Sequence, residues 1–131
     1  MFHDNHIYGF TIEEGECGAG NLIFEIDHIV EWLELDDGKI GFRVAPATLT
    51  FLDVTNLDVR ISYRESTAAM QPMSIHGITS TSEKTNVGSI DMQWVIELNW
   101  PTGEFCFSSS GYKLKLLSDP VKTNAQFLGN L

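Results

Sequence analysis

Leu57-Asp58-Val59-Arg60-Ile61-Ser62-Tyr63 sets an apolar side chain at every second position, with Asp, Arg and Ser between them. Successive side chains of a β-strand point to opposite faces, so this stretch buries one face and wets the other. The same period of two extends along the chain in both directions. Downstream, Met92, Trp94, Ile96, Leu98 and Trp100 line one face of a long strand. Pro101-Thr102-Gly103 reads as a type I turn whose glycine suits a left-handed position, and it returns the chain through Phe105 to Phe107. Tyr112, Leu114 and Leu116 mark a last strand, and residues 121–128, after Pro120, could form one short helix.

Upstream, residues 6–14 read as a first strand with Tyr8, Phe10 and Ile12 on one face, followed by a glycine-rich turn over residues 15–20. A second strand has Leu22, Phe24 and Ile26 inward and Glu25 and Asp27 outward. Its alternation slips at Ile29-Val30, which predicts a β-bulge or a bend. Asp36-Asp37-Gly38 is a hairpin turn. Residues 39–54 are strand-like, and Pro46, which cannot donate to a ladder, marks an edge, a bulge or a break. Residues 73–82 form another strand. The pattern predicts a single all-β domain over residues 1–131, an antiparallel two-sheet sandwich or flattened barrel with at most one short C-terminal helix.

Charge is distributed unevenly. Ten acidic residues precede Gly38 with no Lys or Arg among them, whereas eight acids and eight bases share the remainder, for a net charge of −10. That field favours basic partners and disfavours nucleic acid and anionic membranes. There is no signal-peptide pattern and no stretch of membrane-spanning length, which predicts a cytoplasmic protein. Cys17 and Cys106 lie outside any metal-binding pair and are expected as reduced thiols.

Catalytic patterns are weak. Ser108-Ser109-Ser110-Gly111 lacks the strand–turn–helix setting of a nucleophile elbow and reads as outward hydroxyls leading into a glycine bend. Gly15, Gly18 and Gly20 join two strands, without the helix N-terminus that a phosphate cradle needs. An even register between the first two strands would place His6 opposite His28, with His3 or Asp4 completing a metal-binding set. Trp94 and Trp100 alternate with core residues, which leaves Trp32 as the candidate for a surface role such as sugar stacking.

Phe2-His3-Asp4-Asn5-His6-Ile7-Tyr8-Gly9-Phe10, followed by Leu22-Ile23-Phe24-Glu25-Ile26, resembles a small group of bacterial all-β proteins. That group includes domains of unknown function and immunity proteins of toxin systems. The resemblance covers about 30 residues and implies a β fold without agreed catalytic residues. The leading expectation is a non-catalytic, cofactor-free interaction domain that binds a basic protein through Glu13, Glu14, Glu16, Glu25, Asp27, Glu31, Glu34, Asp36 and Asp37. The alternatives are a metal-dependent enzyme using His3, Asp4, His6 and His28, and a carbohydrate-binding module. Dimerisation through an exposed strand edge is open, although the sequence does not locate that edge.

Overall fold

Two strands organise the molecule. β2 (Gly20–Glu34) and β3 (Ile40–Ser62) form a long hairpin paired from Gly20↔Val54 to Glu34↔Ile40. A computed structural model describes residues 2–36, 38–64, 70–84, 90–125 and 128. Asp37 and part of the C-terminal stretch lie outside them. The hairpin turn forms as its Asp-Gly chemistry requires: Gly38 takes φ 78° and donates its N–H to Leu35 O at 2.9 Å.

The other strands are β1 (His6–Glu14), β4 (Met73–Lys84), β5 (Ile90–Trp100), β6 (Thr102–Ser109), β7 (Gly111–Leu116) and β8 (Val121–Thr123). All pairings are antiparallel, and the sheet closes on itself in the order β1-β2-β3-β6-β5-β4. The expected all-β domain is therefore a flattened barrel made from one sheet. On its second edge β3 meets β6, β7 and β8 in turn. Pro46 falls where this edge passes from β7 to β8, so its missing N–H interrupts no ladder, and its carbonyl accepts from Leu117 N at 2.8 Å. Residues 121–123, read as the start of a helix, extend this edge as β8 instead.

The interior is aromatic. Phe24, Phe51 and Phe105 are fully buried, and Phe24 meets the other two edge-on at 6.0 and 5.1 Å. Ile7, Leu22, Ile26, Leu49, Ile75 and Ile96 fill the space around them. Trp94 and Leu98 pack against this core, as their alternation predicts. Ser108 and Ser109, expected outward, are buried: Gln93 Nε2 donates to Ser108 Oγ at 2.8 Å, and Ser109 Oγ lies 2.7 Å from Leu52 O. Gly103 is already part of β6 opposite Ile61, where any Cβ would overlap the Arg60 carbonyl. Close approach, and not a left-handed turn, demands glycine there.

Three irregularities shape the strands. An extra residue at Tyr8 lets Ile7 enter the core and Phe10, still 38% exposed, lay its ring against Phe24 and Phe105 while Tyr8 turns out. The slip at Ile29-Val30 is a bulge in the β2–β3 ladder. Within β3, Asp53 and Asn56 take φ 52° and 55°, and the register shifts before Asp58. Asp and Asn tolerate that left-handed conformation better than most residues. One kinked strand thus replaces the two read from residues 39–63.

Ring closure is brief. Only His6↔Ser74 and Ile7↔Met73 pair β1 with β4. The segment before β1 extends this seam: Asp4 N donates to Ile75 O at 2.7 Å, and Ile75 N donates to Asn5 O at 2.9 Å. Asn5 is 0% exposed. Its Oδ1 accepts the Ile29 N–H at 3.1 Å, inside the bulge, and its Nδ2 donates to His28 Nδ1 at 2.8 Å. Asn5→Ala leaves two buried polar groups unpaired, at about 1–3 kcal/mol each. Urea unfolding should show a loss of about 3 kcal/mol, and a loss below about 0.5 kcal/mol would mean that Asn5 does not hold the seam.

Candidate functional site

Adding residues to a strand adds length, and this separates the acidic side chains that sequence reading grouped together. β2 alone covers 15 residues, a contour of roughly 45 Å at strand rise. Glu13, Glu14 and Glu16 are exposed around the β1–β2 turn, whereas Glu31, Glu34 and Asp36 are exposed at the far end of β2. Asn21 Nδ2 donates to Glu13 at 3.0 Å, and Arg43 Nε lies 3.3 Å from Glu31. Among the described residues, Glu14, Glu16, Glu25 and Glu34 take part in no salt bridge. Asp37 lies outside the described residues. The acidic third therefore presents two exposed groups, one at each end of the long hairpin.

Asp27 is different. It points out of the barrel as predicted, yet it is only 2% exposed. The Tyr8 hydroxyl donates to its Oδ2 at 2.7 Å and the Leu128 N–H donates to the same oxygen at 2.6 Å. Glu25, Tyr8, Thr48, Leu117 and Leu128 join it around a cavity of about 430 Å³. A buried carboxylate held by two donors ties the C-terminal stretch to β2.

The four expected metal ligands divide among three places. From Gly9↔Glu25 to Glu14↔Gly20 the β1–β2 register is the even one expected, and continued without interruption it would set His6 opposite His28. The extra residue at Tyr8 shifts the ladder by one, so His6 meets Asp27 instead. His28 turns to Asn5 and packs against the Phe2 ring at 5.3 Å. His3 and Asp4 lie together at 3.3 Å near His76. Among the described residues, no three His, Cys, Asp or Glu side chains gather to hold a metal ion.

His3 and Asp4 belong to a hydrogen-bonded chain that includes Asn99, a residue sequence reading passed over. His3 Nδ1 donates to His76 O at 2.6 Å. Asn99 Nδ2 donates to Asp4 Oδ1 at 2.8 Å, while its Oδ1 accepts from His76 Nδ1 at 3.0 Å. Asn99 follows Leu98 as one more polar residue of an alternating strand, and nothing local distinguishes it. The chain spans the barrel seam, linking the N-terminal segment to β4 and β5.

The remaining candidates are quickly placed. Cys17 and Cys106 are free thiols, and burial, with Glu104 beside it, pushes the Cys106 thiol up. That keeps it protonated and a poor nucleophile. Trp32 is 52% exposed, with its ring edge-on to Phe42 at 4.8 Å. Among the described residues, no helix is long and apolar enough to cross a membrane.

Burial lowers the pKa of both His6 and His28 from 6.5. The unfolded chain therefore binds protons that the folded chain resists, and stability falls as pH drops below about 6.5. Thermal midpoints should decrease from pH 7.5 to 5.5, and His28→Gln should flatten that decrease. A midpoint indifferent to pH in the unsubstituted protein would contradict the burial of these rings.

No protein-family model matches the chain, and no curated protein matches it.

Proposed function

We propose that this domain acts by binding another protein, a basic one, and catalyses no reaction itself. The observation that carries this reading is the set of exposed carboxylates at both ends of the β2–β3 hairpin, of which Glu31 pairs with Arg43 while, among the described residues, Glu14, Glu16 and Glu34 take part in no salt bridge. Neutralisation within the molecule would have left no directional field; here Glu13, Glu14, Glu16, Glu34 and Asp36 stay exposed to water. Such a field raises the encounter rate with a cationic surface and orients the approach. A fixed, hydrogen-bonded framework behind the hairpin supports the same reading, because preorganised surfaces lose little freedom on binding.

The separation of the two acidic groups makes the reading specific. A partner of ordinary footprint engages one end of the hairpin more than the other. Immobilised protein should retain a basic protein from a cell lysate at low salt and release it as salt rises. Reversal of Glu13, Glu14 and Glu16 to Lys, or of Glu31, Glu34 and Asp36 to Lys, should reduce retention about tenfold at the engaged end and little at the other. Retention unaffected by salt and by both reversals would overturn the proposal.

A further inference from the structure

The break at residues 109–111 opens the barrel wall. β6 pairs with β5 as far as Met92↔Ser109, but β7 continues beside β3 and leaves β5 behind. Ser109 fixes the fork: its Oγ lies 2.7 Å from Leu52 O and 2.9 Å from Gly111 O, and its carbonyl accepts from Trp94 Nε1 at 3.3 Å. Trp94 on β5 and Tyr112 on β7 consequently border a cleft of about 310 Å³, together with Phe2, Phe51, His3 and His76.

Trp94 and Tyr112, both partly exposed, border this space with the buried rings of Phe51 and Phe2 behind them, and the inclinations of the rings matter. Trp94 and Tyr112 stand at 90° with centroids 5.7 Å apart. Phe51 lies 5.2 Å from Trp94 and 5.8 Å from Tyr112, and Phe2 meets Tyr112 at 80° and 5.9 Å. Parallel rings would make a slot for a flat ligand. Steeply inclined rings make a concave corner that suits a rounded group. Ring faces carry negative potential, so the rounded group they attract is a cation. The lining contains no Lys or Arg, and Asp4 stands behind the rim at His3. The chain's net charge of −10 concentrates cations around it. A primary ammonium is strongly hydrated and loses much on entering, whereas a methylated one carries its charge under weakly hydrated methyl groups.

We propose that this cleft is an aromatic cage for a methylated ammonium group. The test is titration of the whole protein with choline, with its neutral isostere 3,3-dimethylbutanol, and with acetylated trimethyl-lysine amide. The readouts are heat and the shift of the Trp94 indole N–H resonance. Choline should move that resonance and bind about fivefold or more tightly than the isostere, the margin expected of cation–π attraction. Trimethyl-lysine binding at least as tightly as choline would assign the group to a peptide chain, and weaker binding to a free small molecule. Tyr112 is 40% exposed, so Tyr112→Ala should keep the fold, checked by circular dichroism, and lose the preference for choline. Equal binding of choline and isostere, binding of neither at concentrations up to tens of millimolar, or a preference that survives both Tyr112→Ala and Trp94→Leu would overturn the proposal.

Discussion

The side chain of Asn5 joins what the chain otherwise keeps apart. It sits at the mouth of β1, satisfies the Ile29 amide inside the β2 bulge, and fixes the His28 ring, while its own carbonyl receives Ile75 of β4. Two ladder pairs alone, His6↔Ser74 and Ile7↔Met73, would be a weak seam for a closed sheet. With Asp4 and Asn5 bonded to Ile75 of β4 and Asn99 reaching across to Asp4, the seam becomes a hydrogen-bonded clasp. Hydrogen bonds of this kind contribute modestly when made and cost more when broken in a buried place. The clasp therefore specifies one closed arrangement more than it adds raw stability.

Closure determines where chemistry is available. The barrel interior is filled by Phe24, Phe51, Phe105 and their aliphatic neighbours. Among the described residues, open space appears beneath the C-terminal stretch at Asp27, under the β1–β2 turn beside Val54 and Leu57, and at the fork between β6 and β7. The two ends of the long hairpin project exposed carboxylates away from this frame. The recognition role we propose would use the charged extremities and the aromatic corner of this frame.

Much of this architecture was legible locally. The limits of β1, the Gly38 turn and the bulge at Ile29-Val30 each follow from a few adjacent residues, because alternation and turn chemistry are short-range signals. The register of Gly9–Glu14 was also readable. What escaped was anything set by one inserted residue or by distant partners. The extra residue at Tyr8 reverses the face of His6 relative to His28 and so dismantles the expected metal set. Asp27 read as solvated because the chain segment that covers it lies a hundred residues away. The grouping of acids in sequence concealed their separation in space, since a strand spends its length in one direction.

The clasp is best tested in the unsubstituted protein by hydrogen exchange of single amides. If Asn5 and its neighbours close the sheet, the amides of Ile29 and Ile75 will exchange as slowly as those of Ile26 and Leu49, through global unfolding. Rapid exchange at Ile29 and Ile75 while Ile26 and Leu49 stay protected would show a sheet that is open at β1 and β4, and would contradict the account.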